Sequence, residues 1–383
     1  MATRRLFSFA AFLVCLSLLM VSCGGGNNET VTSSTATRQL GVAGGQTGAT
    51  GVAVDSDGNV YVTGYTTGGL DGNTLKGTQD LFLVKYSPAG NRFFTKQLGI
   101  AGGQTGATGV AVDSDGSVYV TGYTTGGLDG NTLTGTQDLF LTKYSSAGNI
   151  FFTKQLGVAG GQTGATSVAV DSDGNVYITG YTTGGLDGNT LSGTQDLFLT
   201  KYSAAGNRFF TRQLGVEGAE TGATGIAINS DGNVYVTGYT AGGLNDNTLS
   251  GTLDLFLTKY SSAGNWFFTK QLGVEGAKTG ATGVTIDSDG NVYIAGYTTG
   301  GLDGNTLTGT QDLFLTKYSS VGDGFFTSQL GVEGAETGAT GIIIDSDGNV
   351  YITGYTTGGL DGNTLTGTQD LFLAKYTLAG NKQ

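Results

Sequence analysis

The sequence has no histidine, one proline, two cysteines and one tryptophan among 383 residues, and only 13% of its residues are charged. Without histidine there is no Ser-His-Asp triad, no imidazole general base and no imidazole metal ligand. Lys and Arg number 18 against 30 Asp and Glu, a net charge of −12. That balance argues against nucleic acid and against an anionic membrane surface as electrostatic partners. Glycine is what the chain has in excess: 71 residues, a level that suggests low complexity. Yet 18 Tyr and 19 Phe are too many for a solvated chain that buries no core. The order of the residues has to resolve that conflict.

Arg4 and Arg5 precede an apolar run from Leu6 to Val21, which ends in Ser22 and Cys23. A basic start and an apolar stretch shorter than the roughly 20 residues a bilayer requires read as a secretory signal. The Met20-Val21-Ser22-Cys23 junction resembles the lipobox of bacterial lipoproteins, in which cleavage precedes a cysteine that then carries lipid. Met20 departs from that family's usual Leu. The resemblance implies a signal peptide over residues 1–22, lipid attachment at Cys23 and a membrane partner through that anchor. It also implies secretion across the inner membrane of a bacterium. Gly24, where Asp often retains such proteins in the inner membrane, points to the outer membrane or cell surface. Cys15 would leave with the signal, so no intrachain disulfide would remain. Residues 23–34, with GGGNNETVTSS after the cysteine, read as a flexible tether.

The string QLG starts at Gln39, Gln97, Gln155, Gln213, Gln271 and Gln329, a constant spacing of 58. Each unit contains three of the tyrosines, and all phenylalanines beyond the signal belong to the repeat, so the repeat builds the core. Within a unit four β-prone runs alternate with turns. Run a is Gly51–Asp55, run b Val60–Tyr65, run c Leu81–Tyr86 and run d Phe93–Leu98. DSDGN and SPAGN place Asp or Ser first and Gly where a positive φ is needed, as hairpin loops require. Runs b and c are apolar on both faces, as strands sandwiched between sheets are. The pattern predicts an all-β fold, a six-bladed β-propeller of four-stranded antiparallel blades over residues 35–383. The last unit stops at Gln383 short of most of its run d, and Thr35–Gly41 (TATRQLG) is a run d without a unit before it. The expectation is a ring closed by that N-terminal strand, with run a innermost.

The unit, GVAVDSDGNVYVTGYT followed by DLFLVKY and a turn glycine, resembles the SBBP β-propeller repeat of bacterial secreted and surface proteins. The resemblance covers Thr35–Gln383 and implies the fold and an extracytoplasmic setting, and it transfers no catalytic residue. The FF pair of run d departs from the Trp often found there.

Two stretches resemble calcium motifs. DSDGN offers Asp55, Asp57 and Asn59, but its Gly is fourth and Thr66 stands where an EF-hand loop needs Glu. GGLDGNTL needs a deletion to match the nonapeptide of β-rolls, and it recurs only once per unit. Turn chemistry accounts for both, so no metal and no cofactor are expected. Asp80 and Lys85 are identical in all six units and read as a structural pair, with the Lys85 stem between blades and its ammonium on a carboxylate. The units differ in the d–a loops: GVAGGQTGAT or GIAGGQTGAT in units one to three, GVEGAETGAT or GVEGAKTGAT in units four to six. In a propeller the d–a and b–c loops share a face. Glu217, Glu220, Glu275, Lys278, Glu333 and Glu336 would then charge one half of it, either by drift on solvated loops or as a ligand-binding site. The expected function is a monomeric, non-enzymatic binding scaffold for a protein or glycan. The alternatives are a carboxylate-dependent glycan hydrolase or lyase and a structural cell-surface protein.

Overall fold

The computed structural model describes residues 37–383; the expected signal peptide, Cys23 and the tether lie outside the described residues. Local turn chemistry sets each hairpin. In DSDGN the Gly58 amide donates to the Asp55 carbonyl at 3.0 Å, and the Asp55 amide donates to the Asn59 carbonyl at 3.0 Å. Gly58 takes φ 78°, a left-handed position that favours glycine. In the c–d turn the Ser87 hydroxyl accepts from the Asn91 amide at 3.0 Å. Valine, isoleucine, threonine and aromatic residues on either side supply strands.

Blade one comprises β1 (Thr47–Val54), β2 (Val60–Thr66), β3 (Asp80–Tyr86) and β4 (Arg92–Leu98). Blade two comprises β5 (Thr105–Val112), β6 (Val118–Thr124), β7 (Asp138–Tyr144) and β8 (Ile150–Leu156). Blade three comprises β9 (Thr163–Val170), β10 (Val176–Thr182), β11 (Asp196–Tyr202) and β12 (Arg208–Leu214). Blade four comprises β13 (Thr221–Ile228), β14 (Val234–Thr240), β15 (Asp254–Tyr260) and β16 (Trp266–Leu272). Blade five comprises β17 (Thr279–Ile286), β18 (Val292–Thr298), β19 (Asp312–Tyr318) and β20 (Gly324–Leu330). Blade six has β21 (Thr337–Ile344), β22 (Asn349–Thr356) and β23 (Asp370–Thr377). Each sheet is an antiparallel meander in chain order. Run a is longer than its sequence suggests because a bulge at Thr50 carries the strand back to Thr47. The bulged Thr50 hydroxyl donates to the Ala107 carbonyl of the next blade at 2.7 Å, so the bulge makes a contact between blades.

The core is a series of sandwiches between blades. Tyr61, Leu81, Leu83 and Leu98 of blade one pack on Ala107, Val118, Val120, Leu128 and Phe140 of blade two. The same positions repeat for blades two and three, three and four, four and five, and five and six. Burying each Leu, Val or Phe contributes about 1.5–3 kcal/mol relative to exposure. This is why runs b and c are apolar on both faces.

The expected closing strand takes a different form. Among the described residues, 37–46 contain no strand, and the sixth sheet has three. Only the start of a fourth is present: the Gln383 amide donates to the Lys375 carbonyl at 2.9 Å. The first run d nevertheless sits on blade one as other d strands sit on the blade after them. Arg38 Nε donates to the Gly90 carbonyl at 2.7 Å, as Arg212 Nε does to the Gly264 carbonyl at 2.8 Å. Leu40 packs on Leu70, Phe82 and Val84. The difference lies in blade six, whose Leu371 is 86% exposed: its outward apolar face is not packed on blade one, and the N-terminal run does not pair with the free edge of β23.

Candidate functional site

The d–a turns and the b–c loops do share one end of the blades, tied by backbone hydrogen bonds. The Thr78 amide donates to the Gly103 carbonyl and the Thr105 amide to the Gln79 carbonyl, both at 2.8 Å. In the charged half, the Thr194 amide donates to the Ala219 carbonyl at 2.9 Å and the Thr252 amide to the Ala277 carbonyl at 2.8 Å. Glu217, Glu220, Glu275, Lys278, Glu333 and Glu336 are all exposed there. Blades four, five and six are packed consecutively, so these residues lie along an arc.

The backbone does not require that charge. Gly44 follows Ala43 at φ 72° and Gly218 follows Glu217 at φ 71°. The turn bond closes both times, Gly45 amide to Val42 carbonyl at 3.2 Å and Ala219 amide to Val216 carbonyl at 3.0 Å. One turn geometry accepts Ala or Glu, so the carboxylates are independent of folding.

A second irregularity at this end was not singled out from the sequence. Gln79, Gln137, Gln195 and Gln311 each donate a side-chain N–H to a tyrosine hydroxyl of the following blade, Tyr123, Tyr181, Tyr239 and Tyr355, at 3.0–3.2 Å. Blade four has Leu253 in that place, so Tyr297 lacks the amide. Burial, then the neighbouring Tyr239 and Tyr355, raises the Tyr297 pKa. Leu253 forms a bridge with Lys278, which puts this break beside the charged turns. The signal in the sequence was GTLD replacing GTQD.

At the opposite end the recurrent polar residues are occupied by the fold. Asp55 Oδ1 accepts from the amides of Asp57 and Asn59 at 3.1 and 2.8 Å, and Oδ2 accepts from Asn59 Nδ2 and the Tyr61 hydroxyl at 2.9 and 3.1 Å. Burial works to raise the Asp55 pKa, but these hydrogen bonds and the Lys85 charge outweigh it and hold the carboxyl below its ordinary value. Lys85 Nζ lies 3.7 Å from Asp55 and donates to the Ser146 carbonyl of the next blade at 3.2 Å. The rings of Tyr61 and Phe93 flank it at 4.9 and 5.6 Å. The carboxylate that Lys85 finds is therefore Asp55, and Asp80 is not its partner. Asp80, fully buried at the other end of β3, accepts from the amides of Lys76 and Gly77 and from Gln97 Nε2 at 2.8–2.9 Å. In blade four Asn229 takes the place of Asp55, and burial lowers the Lys259 pKa despite the Asp231 charge. The GGLDGNTL stretch forms a one-turn 3-10 helix, Leu70–Gly72, with Asp71 at φ 54°.

Meandering four-stranded sheets packed face to face, with one turn chemistry repeated six times, define a β-propeller repeat protein. The family model of the SBBP β-propeller repeat matches residues 37–71, 94–129, 152–187, 210–245, 268–303 and 326–361, and the chain belongs to that family. It is 27% identical over 369 residues to Regulatory protein FlaEY of Caulobacter vibrioides, covering 84% of this chain and 38% of that protein. It is 23% identical to an uncharacterized WD repeat-containing protein of Acanthamoeba polyphaga mimivirus, over 79% of this chain and 29% of the other. The chain thus spans well under half of either relative. A solved protein of unknown function from Bacteroides caccae superposes with a TM-score of 0.41 at 10% identity, over 79% of this chain and 88% of that one. A gluconolactonase from Xanthomonas campestris gives 0.38 at 13%, over 77% and 82%.

Proposed function

We propose that the chain is a non-enzymatic binding scaffold, held outside the cytoplasm by lipid on Cys23, and that the charged d–a arc is its partner-facing surface. The observation that carries this reading is the identity of the turn backbone with and without Glu217. A charge that folding does not need, repeated at Glu275 and Glu333 in consecutive blades, focuses negative potential on one half of one face. That potential favours a basic or polyhydroxyl partner. The recurrent Asp, Lys and Tyr of the opposite end are occupied by structural bonds, which is in keeping with a scaffold, as is the word "regulatory" in the name of the Caulobacter relative.

The test is capture on the immobilised protein, with partners identified by mass spectrometry, for the wild type and for Glu217→Ala/Glu275→Ala/Glu333→Ala. The wild type should retain basic partners that salt releases, since the Debye length falls from about 10 Å at 0.1 M to about 3 Å at 1 M. The triple variant should lose them and keep its melting temperature within a few degrees, because exposed carboxylates contribute little to stability. Unchanged capture by the variant would move the site off the arc. Palmitate-analogue labelling that survives Cys23→Ala would remove the anchor.

A further inference from the structure

An ion-pair strap spans the outer side of three blades; blades two and five lose only its cation, to Ile150 and Gly324, and blade four alone changes both partners. In blades one and three, Arg92 and Arg208 reach across to Asp71 and Asp187 of the b–c turn, and in blade six Lys382 reaches Asp361. The corresponding residues in blade four are Trp266 and Asn245. Both charges are gone, and the cleft they would cross is open, with a volume of about 440 Å³. This lies within the roughly 300–1,000 Å³ of small-ligand sites. Arg212 of blade three and Asn265 line it beside Trp266 and Asn245, and the buried Tyr260 lies beneath.

The residues are held as a platform. Trp266 Nε1 donates to the Thr269 hydroxyl at 3.0 Å, and Asn245 Nδ2 donates to the same oxygen at 2.8 Å. That hydroxyl donates in turn to the Thr258 hydroxyl at 3.0 Å. The indole N–H is thereby satisfied inside the protein, and the ring, 51% exposed, lines the cleft. Asn245 Oδ1 and the Asn265 side-chain amide have no partner among the described residues. Arg212, which lines the cleft, uses Nε on the Gly264 carbonyl and lies 5.2 Å over the Phe210 ring, and its Nη groups have no bonded acceptor among the described residues. An immobilised aromatic face, ringed by an amide acceptor, amide donors and a guanidinium, matches one kind of ligand. That ligand has a flat C–H face, slightly positive against the negative ring face, and a rim of hydroxyls that both donate and accept.

We propose that the Trp266 cleft is a saccharide subsite, taking a β-linked pyranose with equatorial hydroxyls. Its C–H face stacks on the indole, and its hydroxyls bond Asn245, Asn265 and Arg212. The site is on the outer rim of blade four and does not depend on the charged arc.

Trp266 is the sole tryptophan, so its emission reports the site directly. Titration of the full chain with cellotetraose or chitotetraose should shift and saturate the emission, with a Kd on the order of 1 mM. Dextran, α-linked, is the control. The variant Trp266→Arg/Asn245→Asp installs the strap of blades one and three. It should melt within a few degrees of the wild type and lose retardation in gels containing a soluble β-glucan. Any of these saccharide results would overturn the proposal: no emission change with either tetrasaccharide, equal response to dextran, or retardation that survives in the double variant. A Trp266-dependent complex with a protein, in the absence of any saccharide response, would also overturn it.

Discussion

Replacing Asp55 with asparagine keeps the shape of a side chain that is only 7% exposed and removes its charge. Oδ1 continues to accept from the amides of Asp57 and Asn59. The new amide meets Asn59 Nδ2, now 2.9 Å from Oδ2, as donor against donor. It also leaves Lys85 without a carboxylate at 3.7 Å. Breaking a buried pair from one side costs about 3–5 kcal/mol when nothing else holds the charge. Here Lys85 retains the Ser146 carbonyl and two aromatic rings, and blade four tolerates asparagine at this place already. About 2 kcal/mol is therefore expected, roughly 3 °C in melting temperature for a chain of this length. The pH dependence has a definite sign. The folded Asp55 pKa is depressed, so its contribution is fully present above the unfolded value of about 3.9 and is lost as pH falls through the lower folded value. Thermal melts of wild type and Asp55→Asn at pH 7 and pH 3, followed by circular dichroism, should show a gap at pH 7 that narrows at pH 3. A gap absent at pH 7, or equal at both, refutes the reasoning.

The reverse change, Asn229→Asp, gives Lys259 the carboxylate it lacks and should stabilise blade four by about 1 kcal/mol, read as a higher melting temperature near neutral pH. In Gly157→Ala the new Cβ would stand 1.7 Å from Asp138 Oδ1, a contact to a fully buried carboxylate that cannot yield. A loss of about 3 kcal/mol or more is expected, and a variant melting like the wild type would show that the bonds of Asp138, the blade-two counterpart of Asp80, to the Thr134 and Gly135 amides and Gln155 are dispensable. EDTA should leave the melting temperature unchanged, because the Asp55 oxygens are already engaged by N–H and O–H donors. Removing even one metal site held at 100 times its Kd would cost about 2.7 kcal/mol, a drop the melt would reveal.

The repeat made most of the architecture legible. Strands b and c start and stop within a residue of the sequence reading because Asp-Gly and Ser-Gly turns mark their ends and both faces are apolar. Strand a was cut short because Thr47–Thr50 carry no apolar alternation; a bulge and a hydroxyl bond to the next blade, neither visible as a pattern, extend it. Lys85 needed a carboxylate, and the sequence placed Asp80 nearest on its own strand, yet the two are at opposite ends of β3. The true partner, Asp55, comes from the a–b turn, which only the pairing of β2 with β3 brings near. Candidate sites were legible where units differ in charge, as at Glu217. They were missed where the change is from one ordinary residue to another, as at Leu253, Asn245 and Trp266, because only the contacts show what Gln and Asp do at the first two places in the other blades and what Arg does at the third in blades one and three.

The expectation of a closed ring can be decided at the seam between blades six and one, whose two sides are already shaped for each other. At four junctions a Val or Ile of the later inner strand lies over a glycine of the earlier one. A Cβ on Gly51, Gly109, Gly225 or Gly283 would stand 3.1–3.3 Å from Val110, Val168, Val284 or Ile342. The sixth such pair is Val52 with Gly341. Val52 is 62% exposed, and a Cβ on Gly341 would meet only Thr353 of its own blade. The strand edge matches too. By the register in which Leu81 faces Leu98 and Leu83 faces Lys96, Leu371 of β23 would face Leu40, and Leu373 would face Arg38. Closing the seam buries Val52, Leu371 and Leu373, worth several kcal/mol at about 1.5–3 kcal/mol each, against the ordering of a short segment. Val52→Cys with Gly341→Cys, in a chain whose Cys15 and Cys23 are serine, should therefore form an intramolecular disulfide under mild oxidation. A bridge of that kind needs Cβ atoms about 3.5–4.5 Å apart, which only a sixth interface like the other five provides. The product should migrate as a compact monomer and shift on reduction. Disulfide-linked ladders would show that the two faces meet between chains, and free thiols after oxidation would show that they do not meet at all; either result refutes ring closure.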